Sequence, residues 1–337
     1  MSSYWIDSTK EFDKSELLDK DYSADVCIIG AGISGLSTGY YLAKNGLNVI
    51  ILDKYNIGQK TSGNTTAKIT FQHHLIYDYL INSYGEKYAK GYLESNKKAI
   101  SNIKKIIDSE NIDCDFEHQP NYIYTTNEND VTKIQKEVKA LNGLEENCEF
   151  VTNCDLPFKI KGGIKVENQA QFHPRKYMFG LANAIKNYGG KIFTESVVKD
   201  VKKEGEYHIS YTNNYKIKSK YVVIATHYPF INFPGIYFLK MYQVTSYAIG
   251  IETDREVFNG MYINSSEPTI SYRATRYGDK KLLILAGGNH KTGYSPESEE
   301  FYGYNFLENE MKNHFKDGKI LYKWNTRDCV TLDKIPY

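Results

Sequence analysis

Gly30, Ala31, Gly32, Ile33, Ser34 and Gly35 carry the spacing GxGxxG. They follow the short apolar run 26–29 and open a stretch that reads as a helix over 34–45. In that setting the first glycine permits a tight turn and the second lets backbone approach a pyrophosphate. The third lets helix and strand pack closely. The helix start adds unpaired N–H groups and a positive dipole end. Asp53 closes a second apolar run, 48–52, which reads as a buried strand. A carboxylate there accepts hydrogen bonds from both ribose hydroxyls and repels a 2′-phosphate. Strand, turn, helix, strand and acid fall within about 28 residues, the size of one crossover unit. The chemistry is dinucleotide binding. The plainer alternative is a glycine turn that only joins strand to helix.

Other reactive side chains point elsewhere less sharply. The five cysteines, at 27, 114, 148, 154 and 329, form neither a CxxC pair nor a metal-spaced cluster, as expected of reduced thiols. His73 and His74 are adjacent, so their side chains diverge, and no metal site is expected. Lys+Arg is 42 against Asp+Glu 41, a net charge of +1, which gives no general attraction for nucleic acid or anionic lipid. The polar start lacks the apolar stretch of a secretory leader, and no apolar run approaches ~18 residues. The expectation is a cytoplasmic protein with no membrane span and a small-molecule substrate.

The elements that must position these residues can be placed from periodicity. Helical spacing recurs over 85–109, at Val131, Ile134, Val138 and Leu141, and after Pro174 at Tyr177, Leu181 and Ile185. Strands are expected at 121–125, 191–194, 197–202, 207–212 and 221–225. The alternation over 241–286 predicts an antiparallel sheet. Ser295, Pro296 and Glu297 open a last predicted helix with Phe301, Tyr304, Leu307 and Met311 on one face. The 337 residues suffice for two domains.

The small, hydroxyl-rich stretch 61–70 follows the Asp53 strand. Together with the glycine turn, it resembles the segment that wraps FAD pyrophosphate and flavin in the D-amino-acid-oxidase-like family. The resemblance implies noncovalent FAD, held by Gly30, Gly32, Ile33, Ser34, Gly35, Asp53, Lys54, Thr61, Ser62, Asn64, Thr65, Thr66 and Ala67. It adds Val198 beside adenine, and Ala225 and Thr226 where the family commonly reads Ala-Thr-Gly; here His227 takes the glycine position. The implied fold is α/β: a Rossmann-like FAD-binding domain of the GR2 type, with a discontinuous α+β substrate domain on an antiparallel sheet. The expected segments are 1–84, 165–235 and 318–337 for the first domain, and 85–164 and 236–317 for the second.

Tyr4 with Trp5, the run Gln171 to Pro174, Gly287 to Gly293 and Trp324 to Asp328 are similar to one subgroup of that family. Its members often carry a C-terminal Rieske [2Fe-2S] domain. No Rieske CxH and CxxH pair is present in these residues, so a cluster is implied only for a domain outside them. In the family a segment like 333–337 leads into one more strand and helix, about 25–30 residues by usual element lengths. That comparison implies a truncated chain.

Family enzymes oxidise a C–H bond next to nitrogen. Three candidates follow for the chemistry: Arg273 for an anionic substrate group, His290 at the flavin face, and Lys68 as a cation beside the flavin. Each also has an ordinary reading, as a solvated strand arginine, a polar loop histidine or a phosphate-neutralising lysine. Trp324 stands about where amino-acid-oxidising relatives place a carboxylate-clamping arginine, with Arg327 nearby but offset. The leading reading is an FAD-dependent oxidoreductase. The alternative is a flavin-binding electron-transfer module partnered with a Rieske domain and without amine oxidase activity. A nicotinamide-dependent dehydrogenase is a third, weaker reading.

Overall fold

The computed structural model describes residues 2–13, 15–254, 256–293 and 299–336, with the side chains of 299–301 left aside. The expected helix start at Ser295 to Glu297 and the Phe301 side chain lie outside the described residues.

The chain begins with α1 (Tyr4–Asp7), capped by Ser3, whose Oγ accepts the Ile6 N–H at 3.3 Å. Next come β1 (Glu16–Leu17), β2 (Tyr22–Ile29), α2 (Ile33–Lys44) and β3 (Val49–Leu52). After them run β4 (Lys68–Ile69), α3 (Tyr77–Tyr84), α4 (Glu86–Ser109), β5 (Glu117–Thr125), α5 (Val131–Gly143), β6 (Cys148–Val151) and β7 (Gly162–Gln171). The middle holds α6 (Pro174–Asn187), β8 (Lys191–Thr194), β9 (Asp200–Glu204), β10 (Tyr207–Tyr211) and β11 (Lys216–Ile224). The last part holds β12 (Met241–Glu252), β13 (Met261–Asn264), β14 (Ile270–Tyr277), β15 (Lys280–Lys291), α7 (Glu299–His314) and β16 (Lys319–Thr331).

Two sheets result. The first has seven strands in the order β1-β8-β3-β2-β11-β10-β9. Its β8, β3, β2 and β11 run parallel, and β9, β10 and β11 form an antiparallel meander. Parallel strands covered on both faces read as unbroken apolar runs, and β2 and β3 show why. Ile28 and Ile51 pack with Leu36, Tyr40, Leu181 and Ile185 of α2 and α6 on one face. Cys27, Ile29, Ile50 and Leu52 pack with Phe193, Val198 and Ile217 on the other. Each fully buried Ile or Leu contributes about 1.5–3 kcal/mol.

The second sheet has nine strands along β16-β12-β15-β14-β13-β5-β7-β4, with β6 beside β7. One face carries Tyr247, Tyr272, Leu283 and Leu285 under Tyr304 and Leu307 of α7. The other presents Ala248, Ile284, Ala286 and Trp324, which join the core beneath the first sheet. One continuous core therefore holds the second sheet against the nucleotide-type sheet.

Several elements differ from the sequence reading. Lys68–Ile69 and Lys319–Thr331 pair in the nine-stranded sheet, as does all of Gly162–Gln171, whereas the expected segments put 68–69, 165–171 and 318–331 with the first sheet. The expected segments follow chain order, which does not report a strand's partner tens of residues away. The expected strand over 197–202 begins only at Asp200. Glu195 sits at φ 52°, and Ser196 N–H is spent on Asp53 O at 2.7 Å, so the chain bends through 195–199. The expected helix over 85–109 is α4, separated from α3 by Gly85 at φ 88°. Among the described residues, no helix is long and apolar enough to cross a membrane.

Gly91 lies inside α4 on an exposed face, and a Cβ there meets nothing within 4 Å. Gly91→Ala should therefore stabilise the protein by about 0.5–1 kcal/mol, through propensity and a less free unfolded chain. An unchanged or lowered urea midpoint would contradict this account of α4.

Candidate functional site

The C-terminal ends of β2, β3 and β11 converge on one crevice, where open α/β sheets bind ligands. Gly30 N–H donates to Leu52 O at 2.7 Å, and Ala225 N–H donates to Ile29 O at 2.8 Å. Gly30 has φ 113°, a conformation open to glycine and strained for other residues. A Cβ on Gly30 would stand 2.3 Å from Ala225 O, and one on Gly35 would stand 1.9 Å from Gly30 O. The first and third glycines thus serve backbone-to-backbone packing. Gly32 differs: its added Cβ meets only the Ser62 side chain, at 2.9 Å.

Asp53 holds the turn as well as facing the crevice. Its Oδ2 accepts the Ala31 N–H at 2.6 Å and its Oδ1 accepts the Tyr55 N–H at 2.7 Å. Burial keeps its carboxyl above the ordinary carboxylate value, against the pull of those donors and Lys60. Each oxygen keeps a lone pair for a ribose hydroxyl. Ser62 Oγ accepts the Ile33 N–H at 3.2 Å, so the 61–63 turn caps α2 from outside.

A cleft of about 540 Å³ opens here. Its walls bring together Gly30, Gly32, Ile33, Ser34, Asp53, Lys54, Thr61, Ser62, Val198, Ala225 and Thr226. His227 and Phe230 line the same cleft. His227 adopts φ 67°, so a histidine stands in a left-handed position that favours glycine, and its Nε2 lies 3.5 Å from Cys329 Sγ.

Gly35, Asn64, Thr65, Thr66 and Ala67 do not line this cleft. Gly35 lies under the turn. The other four form a stretch whose successive carbonyls are each held by a buried side chain. Trp324 Nε1–H donates to Asn64 O at 3.0 Å, and Trp5 Nε1–H donates to Thr65 O at 2.8 Å. Arg273 donates from one guanidinium nitrogen to Thr66 O at 2.9 Å and Ala67 O at 2.7 Å. Its guanidinium also lies over the Trp5 ring, 5.3 Å from the ring centre. Thr65 Oγ1 closes the turn by accepting the Ala67 N–H at 3.1 Å, where Ala67 has φ 57°.

The three chemical candidates separate. Arg273 is 2% exposed and donates to backbone oxygens, so the structure places it behind the 66–67 stretch rather than on a solvated strand face. Burial lowers its guanidinium to about 9, partly offset by Glu117. Lys68 stands next along the chain, in β4, opposite Gln171 of β7. Its ammonium has no hydrogen bond or ion pair among the described residues. Burial, with repulsion from Arg273, pulls it down to about 7. His290 lies apart, its Nε2 3.0 Å from Tyr247 Oη and its ring stacked on that tyrosine. Arg273 and Lys68 therefore share one neighbourhood behind and beside the 64–67 stretch, and His290 belongs to the β12–β15 end of the sheet.

Sequence reasoning did not assign Trp5 or Trp324 a role in the site. A signal was present: they are the only tryptophans in a chain with 30 tyrosines, and an indole N–H buried in a core needs an acceptor.

Comparison with known proteins agrees with this geometry. The profile of the family described as FAD dependent oxidoreductase (DAO) matches residues 25–337. The chain is 36% identical over 335 residues to the "Putative Rieske 2Fe-2S iron-sulfur protein YhfW" of Bacillus subtilis, covering 99% of this chain and 65% of that protein. It is 24% identical over 237 residues to the "Gamma-glutamylputrescine oxidoreductase" of Escherichia coli, covering 66% of this chain and 54% of that protein. The chain thus spans less than two thirds of the length of either relative. Among solved structures, glycine oxidase from Geobacillus kaustophilus superposes with a TM-score of 0.74 at 16% identity, over 94% of this chain and 85% of that one. L-proline dehydrogenase from P. horikoshii gives 0.73 at 18%, over 95% and 84%. Those likenesses establish the fold, and the profile match, which runs from the strand before the glycine turn through β16, places the chain in the DAO family of FAD dependent oxidoreductases.

Proposed function

We propose that this chain binds FAD noncovalently and oxidises a small molecule at a CH–NH bond. The observation that carries the reading is the cleft itself: a glycine turn with Asp53 behind it, capped by Ser62 and continued by a firmly held 64–67 stretch. The residues fit the group. Gly32 leaves backbone exposed where a side chain would enter the crevice, and the N-terminus of α2 opens on it with the helix dipole. Ser62 and Thr61 supply hydroxyls for phosphate oxygens, Asp53 supplies acceptors for the ribose, and Val198 supplies an apolar wall.

When bound, FAD supplies a two-electron acceptor that takes hydride at flavin N5, and the protein contributes orientation and charge. Lys68, its ammonium pulled down to about 7 by burial, is suited to hold or release a proton near neutral pH. The names of similar proteins support an amino-compound substrate: a gamma-glutamylputrescine oxidoreductase, a glycine oxidase and an L-proline dehydrogenase.

The test is flavin uptake. Purified protein incubated with FAD and passed through a desalting column should emerge yellow, with one flavin per chain that is released on denaturation. Colourless protein that instead binds NADH tightly would overturn the reading.

Lys68 gives a pH-dependent expectation. An unfolded lysine titrates near ~10.4, and the native value is about 7. Between those values the unfolded chain binds more protons, so stability rises with pH across that window and stays flat below about pH 7. Lys68→Met should remove that rise in urea midpoint. It should also remove a transition near pH 7 in the rate of flavin bleaching by substrate. A wild-type bleaching rate flat through pH 7 would exclude Lys68 from the proton chemistry.

The second reading, a flavin module serving an iron–sulfur partner, draws its support from the Bacillus protein whose name carries a Rieske centre. It predicts protein that takes up FAD yet is not bleached anaerobically by any amine or amino acid in a broad panel.

A further inference from the structure

A second cleft, of about 580 Å³, opens on the nine-stranded sheet and shares no lining residue with the dinucleotide cleft. Gln171, at the end of β7 and 2% exposed, forms part of its lining. The register sets Gln171 opposite Lys68 on one side and opposite Glu117 of β5 on the other. Directly opposed residues of antiparallel strands share a face, so the three side chains stand in a row.

Both N–H groups of the Gln171 amide are committed, one to Glu117 Oε1 and one to Ala274 O at 2.8 Å. Turning the amide over would set its oxygen against two acceptors, which fixes the orientation. Gln171 Oε1 is then left buried with no donor among the described residues. An unmade hydrogen bond in that setting is costly.

The charges around the cleft divide by partner. Asp115 is paired with Lys176 at 2.7 Å and Lys280 with Glu252 at 3.2 Å, while Lys281 donates to Asn259 at 3.0 Å. Glu117, Arg276 and Asp279 line the cleft with no ion pair among the described residues. Glu117 keeps one carboxylate oxygen beside the Gln171 amide, and Arg276 offers an uncommitted guanidinium. Phe116 and Phe258 supply apolar wall between charged groups. A cavity of this size, partly apolar and with a few convergent polar groups, suits a small molecule.

We propose that this cleft binds an amino-acid-sized zwitterion, its ammonium on Glu117 beside Gln171 and its carboxylate on Arg276. The site does not rest on the flavin reading, because none of these residues touches the dinucleotide cleft. A carboxylate and a guanidinium that face the same ligand select for opposite charges at its two ends.

Isothermal titration of the full chain with 4-aminobutyrate, putrescine and succinate tests this. The zwitterion should saturate a single site, with the diamine and the dicarboxylate each at least tenfold weaker. Glu117→Gln keeps an acceptor for Gln171 and should weaken 4-aminobutyrate at least tenfold. Arg276→Gln, at an exposed position, should weaken it at least threefold. Both variants should take up FAD as the wild type does. Absence of saturable 4-aminobutyrate binding, equal binding of putrescine or succinate, or undiminished binding by both variants would overturn the proposal. If Glu117→Gln shifts the urea midpoint, Arg276→Gln decides the matter alone.

Discussion

Arg273→Met should lower the stability of the protein by about 3 kcal/mol and weaken FAD retention at least tenfold. The guanidinium is 2% exposed and serves two successive carbonyls, Thr66 O and Ala67 O. Hydrogen bonds from a charged donor are worth about 1.5–3 kcal/mol each, and removing the donor strands both acceptors in the interior. Methionine keeps most of the apolar stem, so the loss reports the guanidinium rather than a cavity. Trp324→Phe and Trp5→Phe, each removing one donor to the neighbouring carbonyl, should cost about 1 kcal/mol apiece. Urea unfolding and flavin titration of the three variants give a graded series if the 64–67 stretch is held as described. An Arg273→Met protein with wild-type midpoint and full flavin occupancy would show that the guanidinium holds nothing. Arg273→Lys should recover only part of the loss, because the lysine stem is shorter and sets its ammonium short of the guanidinium nitrogen that reaches both carbonyls.

Gly35→Ala and Gly32→Ala should fail in different ways. A Cβ on Gly35 meets Gly30 O at 1.9 Å, backbone against backbone, so helix and turn must separate. Overpacking of that kind costs about 1–3 kcal/mol, and the turn that faces the phosphates is displaced with it. The apo protein should be destabilised and FAD uptake lost by a hundredfold or more. A Cβ on Gly32 meets only Ser62 Oγ at 2.9 Å, the end of a side chain that can rotate. The apo protein should therefore keep its urea midpoint within about 0.5 kcal/mol, while FAD affinity falls because the new methyl occupies the approach of the pyrophosphate. A Gly32→Ala protein that takes up FAD like the wild type would remove the second glycine from the binding site.

The contrast between these glycines marks what could be read in advance. GxGxxG, the apolar run before it and Asp53 18 residues on are local features, and local features are what a sequence displays directly. The structure puts them in the strand–turn–helix–strand arrangement that the pattern called for. Asp53 also does something the pattern does not contain, since its Oδ2 ties down Ala31. The 61–67 stretch was visible as a hydroxyl-rich loop, but its fixation depends on donors 60, 206 and 260 residues away in sequence. Arg273 shows the limit most plainly. An arginine in an alternating strand reads as solvated or substrate-facing, and only the pairing of β14 within the sheet reveals that it points at a buried loop. The segment 318–331, expected with the first domain, likewise pairs in the second sheet as β16, a partnership that its half-buried pattern does not display.

The clamp on Asn64 to Ala67 has a consequence for how the protein is made. Its four carbonyls are reached from Trp5, Arg273 and Trp324, so the stretch is tied by contacts that span most of the sequence. During synthesis the glycine turn and its helix emerge early and can fold as a local unit, but the last donor arrives only when residue 324 has left the ribosome. Contacts of such long range form late and slowly. Completion of the 64–67 stretch therefore waits for residue 324 to emerge, long after the glycine turn and its helix can form.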